Sequence, residues 1–269
     1  NHHQKDGCIK FVIFQTKCLD KGLSLENTIP AKLQSYMACG KAIIASASGE
    51  TKRVITEAEC GVCCDIGNPV SVDCRNNTWK SFDFSQVDTV LCPLGIAHVS
   101  TNPSMEAQYY AVNRDLPVEI AEYTKSFGVK NFVFFSSMIV YGADKPLGTE
   151  FIIDETTDPN PENFYGKSKL DAEQELLKLQ DNNFSVAILR IPMVYGPDCK
   201  GNFPQLLKVA KKSPFCPNIK NKRSMIYVDN LCEFLRLVIE NNKSGIFYPQ
   251  NSEYVSTVDI IKIAAKYFN

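Results

Sequence analysis

The chain has 269 residues, 44% of them apolar and 22% charged, and 29 basic against 30 acidic side chains leave a net charge of −1. This is ordinary globular composition, long enough for one large or two small cores, and it excludes a mini-protein. With no basic cluster beyond pairs such as Lys211-Lys212, it also argues against a nucleic-acid or anionic-membrane surface.

No apolar run approaches the roughly 18 residues that a membrane helix needs, so no membrane insertion is expected. The start, Asn1-His2-His3-Gln4-Lys5, lacks the basic-then-apolar pattern of a signal peptide, which points to the cytoplasm. The missing initiator Met and an end inside a helical pattern (260–268) mark the sequence as a piece of something longer.

In chain order the patterns predict a strand at 10–14, a helix at 30–39, a strand at 42–45, a helix at 50–58 and strands at 62–65, 70–74 and 89–91. A long helix at 105–127, a strand at 132–136, a helix at 165–180, a strand at 186–190 and helices at 203–211 and 229–241 follow. Such alternation predicts an α/β protein built on a parallel sheet covered by helices. Pro69 in Gly67-Asn68-Pro69 stops a strand-like run, so a boundary is placed there, giving units 1–69 and 70–269.

Eleven cysteines, odd in number and mostly in apolar surroundings, read as buried reduced thiols. The exception is Cys60-Gly-Val-Cys63-Cys64 with Cys74, which offers a redox pair or part of a zinc site on one reading and a buried strand on the other. A structural zinc needs four well-placed ligands, and no metal is expected.

The most specific local pattern is Tyr165-Gly-Lys-Ser-Lys169 near a helix start. A spacing of four puts both side chains on one helix face, one turn apart. An ammonium beside a phenol favours the phenolate, so the phenol is expected to titrate below its usual value of about 10 and to serve as a general acid/base. Upstream, Phe132-Val-Phe-Phe-Ser-Ser-Met-Ile-Val-Tyr-Gly142 is an apolar strand running into hydroxyls; downstream, Leu189-Arg-Ile-Pro-Met-Val-Tyr-Gly-Pro197 is another, ending in a turn. Ligands of open α/β sheets sit at such carboxyl ends.

Through these motifs, residues 70–269 resemble the extended short-chain dehydrogenase/reductase family, the NAD-dependent nucleotide-sugar epimerases and dehydratases. The resemblance implies a Rossmann-like sheet with helices on both faces and a small C-terminal part that binds substrate. It makes Tyr165 the acid/base, Lys169 its activator and the binder of the nicotinamide ribose, and Ser137 the hydroxyl that bonds the reacting sugar oxygen. Asn113 matches a helix residue near the cofactor, Gly95-Ile96-Ala97 the loop passing the adenosine ribose and phosphates, and Tyr141 and Pro192 the surroundings of the nicotinamide. For the sugar nucleotide, Arg223 matches the residue that holds the diphosphate, with Asn202, Met138 and Asp229 nearby; Asp229 also reads as an N-cap.

The implied cofactor is NAD, with NADP as the alternative, the partner is a UDP-sugar, and the resemblance implies a homodimer. The implied chemistry is loss of a sugar hydroxyl proton to Tyr165 with hydride transfer to nicotinamide, giving a transient ketose whose reduction from the other face inverts the centre. Met138 and Ile139 stand where the dehydratase branch has an Asp-Glu pair, which argues against dehydration. Epimerase and 4-keto reductase share every motif present.

The family's opening strand and Gly-x-x-Gly-x-x-Gly turn are missing: the 14 glycines are dispersed. Residues 8–68 instead resemble the donor half of a family-4 GT-B glycosyltransferase, on Thr28-Ile-Pro-Ala-Lys-Leu-Gln-Ser-Tyr-Met-Ala-Cys-Gly-Lys-Ala-Ile-Ile-Ala-Ser-Ala-Ser-Gly-Glu50. That resemblance makes Lys32 and the amides near Thr28 diphosphate contacts, with Gly49 and Glu50 in a following loop. The expected history is a fusion of two truncated polysaccharide-biosynthesis genes. Residues 42–65 are expected to supply the missing central strand, with Ser46-Ala-Ser-Gly49 as the phosphate turn; the alternative is a split sheet. The reading is an epimerase of surface polysaccharide biosynthesis, against a 4-keto reductase, a non-catalytic fusion and, third, a glycosyltransferase.

Overall fold

The computed structural model describes residues 11–13, 43–46, 61–64, 78–85, 87–96, 102–142, 151–154, 156–197, 199, 202–212 and 221–268. Strands β1 (Phe11–Ile13), β2 (Ile43–Ser46), β3 (Gly61–Cys64) and β4 (Thr89–Cys92) come first. Helix α1 (Glu106–Tyr110) runs through a π-helical turn, Ala111–Asp115, into α2 (Leu116–Ser126). Then come β5 (Asn131–Ser137), α3 (Phe164–Lys178), β6 (Ser185–Ile191), β7 (Met193–Tyr195), α4 (Asn202–Lys212), β8 (Met225–Tyr227), α5 (Val228–Glu240), β9 (Gly245–Phe247) and α6 (Thr257–Phe268).

The main sheet is five-stranded and parallel throughout, in the order β1-β4-β5-β6-β9. Parallel strands require crossovers, and those described on this chain are helical. Both faces are covered, as parallel sheets demand. Period two sends Val90, Phe132, Phe134, Val186 and Ile188 to one face, against Ile120 of α2 and Leu176 of α3. It sends Leu91, Val133, Ala187 and Leu189 to the other, against Leu231, Leu235 and Val238 of α5. Two further parallel pairs, β2-β3 and β7-β8, stand as separate sheets.

The expected strand at 42–45 exists as β2, but it does not supply the central strand. It pairs with β3 and lies beside β1, and β1 instead takes the place next to β4, in the register Phe11↔Thr89 to Ile13↔Leu91. Three backbone ladder positions of an apolar segment continue the sheet past β4, while β2 and β3 stay outside it as a separate pair. The expected helices at 30–39 and 50–58, the strand at 70–74, the boundary at 67–69, the turn after Ser46, and Thr28, Lys32, Gly49 and Glu50 lie outside the described residues. So do Cys60 and Cys74.

The single helix expected at 105–127 is interrupted, and Pro117 gives the reason. It lacks the N–H that would bond the Asn113 carbonyl four residues back, and the π turn sits where that ladder rung is lost. The last expected helix starts at Val228 rather than 229, with Tyr227 at the cap and Asp229 in the first turn, where its charge suits the helix dipole. Strands β7, β8 and β9, three residues each, are too short for alternation to reveal.

Cys92 is fully buried at the end of β4, and desolvation pushes its thiol up to about 12, against the pull of the Lys169 charge. An unfolded thiol ionises near pH 8.5, so its contribution to stability is present below that pH and is lost as pH climbs towards the folded value. Chemical denaturation between pH 8.5 and 10.5 should show stability falling with pH, and Cys92→Val should make that fall shallower by up to about 1.4 kcal/mol per pH unit.

Candidate active site

The site is built where β4, β5 and β6 end. Ser137 closes β5 and lies in register with Ile191 of β6, so Pro192, the next residue, sits one step beyond that pair. The Ser137 hydroxyl accepts from the Ile139 amide at 3.3 Å and starts a 3₁₀ turn, Met138–Tyr141, which exposes Met138 partly. Gly142 then takes φ of +82°, a conformation only glycine adopts cheaply.

Helix α3 begins at Phe164, capped by Asn163, whose side chain accepts from the Gly166 amide at 2.8 Å. Gly166 lets this helix start approach the turn: a Cβ there would lie 2.8 Å from Pro161 Cβ and 3.0 Å from the Ile139 carbonyl oxygen. The approach brings the Tyr165 phenol near enough to Ser137 for that side chain to draw its titration down. On its other side the Tyr165 ring packs against Tyr109 of α1, with centroids 6.2 Å apart.

One turn on, Lys169 is buried, and its Nζ donates to the Leu94 carbonyl at 2.7 Å and the Phe135 carbonyl at 2.9 Å, 4.4 Å from the Phe134 ring centre. The expectation that Lys169 lowers the Tyr165 phenol is not met. Burial pushes that phenol above its ordinary value, the Ser137 hydrogen bond pulls it down in part, and Tyr109 raises it further. The reason is geometric: the ammonium is drawn to the ends of β4 and β5.

Beside it, Asn113 from the π turn is fully buried and clamps the loop after β4. Its Oδ1 accepts from the Ile96 amide at 2.7 Å, and its Nδ2 donates to the Ile96 carbonyl at 3.3 Å and to Ser168 Oγ at 3.1 Å. Gly95 lies between these groups, and a Cβ on it would come within 2.9 Å of Lys169 Nζ and 3.1 Å of Asn113 Oδ1. Ala97 lies outside the described residues. Thus Gly95, Ile96, Asn113, Ser137, Tyr165 and Lys169 come together, on residues up to 74 positions apart in sequence.

The residues expected on the sugar-nucleotide side lie on other elements. Arg223 is exposed and makes an antiparallel bridge with Val255, donating to its carbonyl at 2.8 Å and accepting from its amide at 3.1 Å. Asp229 is exposed in the first turn of α5, and Asn202 starts α4, its side chain outside the described residues. Asn251, absent from the sequence reading, ties this part together: it bonds the Tyr195 hydroxyl at 2.9 Å, Asn230 Nδ2 at 3.0 Å and the Met225 carbonyl at 2.8 Å. Among the described residues no three His, Cys, Asp or Glu side chains group to hold a metal.

Sequence reasoning also missed Glu173 and Arg190, which form a buried polar cluster with Tyr141, and the exposed Tyr248, whose hydroxyl reaches it. Their signal was present: Glu173 is four residues beyond Lys169 on the same helix, and Arg190 is the lone charge in Val-Ala-Ile-Leu-Arg-Ile. Tyr141, expected near the nicotinamide, has its hydroxyl engaged by Arg190 Nη1 at 2.6 Å, and burial pushes its phenol up to about 12.

Gly166→Ala tests the close approach that seats Tyr165. A gain of up to about 1 kcal/mol in helix propensity is opposed by overpacking of about 1–3 kcal/mol. Denaturation should show a net loss of about 1–2 kcal/mol; unchanged or increased stability would mean the Pro161 segment yields without cost.

Residues 40–248 match the family model described as the NAD dependent epimerase/dehydratase family. A UDP-glucose 4-epimerase of Vibrio cholerae is 34% identical over 175 residues, covering 62% of this chain and 52% of the relative. An N-acetyl-alpha-D-glucosaminyl-diphospho-ditrans,octacis-undecaprenol 4-epimerase of Escherichia coli O157:H7 is 33% identical over 142 residues, 51% of this chain and 41% of the relative. The matched part thus spans about half the length of these curated relatives. Among solved structures, the Bordetella bronchiseptica enzyme WbmG in complex with NAD aligns at a TM-score of 0.68 with 19% identity, covering 99% of this chain and 80% of that one. The UDP-glucuronic acid 4-epimerase of Bacillus cereus in complex with NAD aligns at 0.67 with 20% identity, covering 96% and 82%. At that identity the likeness shows a common fold, and with the family match over most of its length the chain belongs to the NAD dependent epimerase/dehydratase family.

Proposed function

We propose that this protein is an NAD-dependent nucleotide-sugar epimerase acting on a UDP-hexose or UDP-N-acetylhexosamine in surface polysaccharide biosynthesis. The observation that carries the reading is the meeting of a phenol, a serine hydroxyl and a buried ammonium at the carboxyl ends of β4 and β5. Both curated relatives are 4-epimerases by name, which supports the reaction class.

The residues fit a dinucleotide. Gly95 leaves bare backbone beside Lys169 and the Asn113 clamp, a cradle that a Cβ would fill. In this reading the loop 94–96, Asn113, Lys169 and Pro192 hold NAD, which supplies a hydride acceptor and donor when bound. Ser137 orients the sugar hydroxyl, and Tyr165 accepts its proton and returns it after inversion. Arg223, with Asn202, Met138 and Asp229, takes the sugar nucleotide, a guanidinium being suited to a diphosphate.

Residues 1–69 are read as a unit derived from a glycosyltransferase and 70–269 as the epimerase-like unit. A cytoplasmic homodimer completes the reading.

Calorimetric titration with NAD, and separately with UDP and UDP-N-acetylglucosamine, tests it. Micromolar NAD binding, weakened by about tenfold or more in Lys169→Ala (~1.4 kcal/mol), is expected. Tyr165→Phe should keep NAD binding and lose turnover by about 10²–10⁴-fold. Because the Tyr165 phenol lies above its ordinary value, its basic form gains as pH rises, so kcat/KM should climb with pH, and Ser137→Ala should move that climb higher. Absence of NAD binding in a cooperatively folded chain would overturn the reading, and stoichiometric NAD(P)H consumption would assign a reductase instead.

A further inference from the structure

Ser136 and Arg190 are partners in register on β5 and β6. By period two both side chains leave the sheet on the face of Phe134 and Ile188, towards α3. Glu173 of α3 meets them there. Its Oε1 accepts from the Ser136 hydroxyl, and its two oxygens accept from Arg190 Nε at 3.3 and 3.0 Å and from Nη2 at 2.7 Å. The remaining arm, Nη1, donates to the Tyr141 hydroxyl at 2.6 Å and the Tyr248 hydroxyl at 3.3 Å, and those two hydroxyls are 3.1 Å apart. The side chains of Arg190 and Glu173 are 5% and 1% exposed.

These bonds grip the turn that begins at Ser137 at both ends. Ser136 precedes Ser137 and is tied to Glu173; Tyr141 ends the turn and is tied to Arg190. Glu173 stands on the same helix as Tyr165, two turns further on. The network therefore joins the element that carries the phenol to the element that carries the serine. A buried ion pair is weak evidence for stability, so its place between these two elements is the more telling feature.

We propose that Glu173 and Arg190 are positioning residues that hold the Ser137 hydroxyl against the Tyr165 phenol, acting through Ser136 and Tyr141. The proposal rests on the reading of Ser137 and Tyr165 as the reacting pair. Tyr248 latches the chain after β9 to the same guanidinium.

The test follows the titration of the Tyr165 phenol by NMR in the full chain labelled at the tyrosine Cζ, its signal assigned with Tyr165→Phe. The groups facing this phenol are Ser137 from β5 and Tyr109 from α1, with Lys169 one turn along α3. Ser137→Ala should move the titration upward, and Arg190→Lys should move it the same way by at least half as much, in protein that still melts cooperatively. Tyr141→Phe, which removes one oxygen and keeps the ring, should do likewise and carries the test if Arg190→Lys does not fold.

In the epimerase assay the same variants should lose about ten- to a hundredfold in kcat, with KM within about twofold of the unmodified chain. A folded Tyr141→Phe or Arg190→Lys protein whose Tyr165 titrates unchanged, while Ser137→Ala shifts it, overturns the proposal. An unmoved Tyr165 in Ser137→Ala overturns it as well. A chain that turns over no sugar nucleotide refutes the epimerase reading alone, since the titration reads the positioning without turnover.

Discussion

The site depends first on a buried cation. Lys169 places its ammonium between the Leu94 carbonyl, just past β4, and the Phe135 carbonyl near the end of β5, beside the Phe134 ring. Burying an ammonium is costly unless its donors find acceptors, and two main-chain carbonyls plus an aromatic face supply that compensation. The bonds couple three elements, so the helix carrying Tyr165 cannot slide along the sheet without breaking them. The same requirement explains Gly95: with the ammonium docked on Leu94, the next residue has no room for a side chain.

Sheet continuity is the second constraint. A parallel strand left without a neighbour exposes a row of unpaired amides and carbonyls, and β4 sits where that would fall beside the site. Pairing of Phe11–Ile13 with Thr89–Leu91 closes that edge. The segment that does so is not the one whose sequence looked most like a replacement. Strand pairing asks only for an extended apolar stretch of the right length that the chain can bring there; it is indifferent to the helix pattern and motif that made residues 42–65 attractive.

Much of the site was legible because its chemistry is local. Tyr165 and Lys169 are four apart on one helix, a spacing visible in the sequence, whereas Ser137, at the end of a buried strand, was reached only through the family resemblance. The inference that failed, a phenol lowered by the lysine, failed because spacing fixes a shared helix face and not the direction of a flexible side chain; Lys169 found better acceptors on the sheet. The pairing of β1 with β4 and the bond from Arg190 to Tyr141 join residues 78 and 49 positions apart, and no local pattern encodes such partners. Yet Arg190 was detectable in principle, since a lone guanidinium inside a strand buried on both faces must find a carboxylate, and Glu173 is the buried acid on the facing helix.

That pairing also settles the electrostatics. Glu173 and Lys169 are one turn apart on α3, both buried, and an unneutralised carboxylate so near would oppose a phenolate at Tyr165 and any diphosphate brought to the strand ends. Arg190 Nε and Nη2 both donate to Glu173 Oε2 and cancel the charge locally, while the Ser136 hydroxyl donates to Oε1. Among the residues of the site described above, what remains is the positive charge of Lys169, near a neutral phenol and a hydroxyl. A carboxamide in place of Glu173 would leave Arg190 as a second buried cation, and an apolar residue in place of Arg190 would leave a buried anion; either change alters the field at Tyr165 before it alters any contact with it. The two charges are therefore held together by the chemistry of the site as much as by the packing of the core.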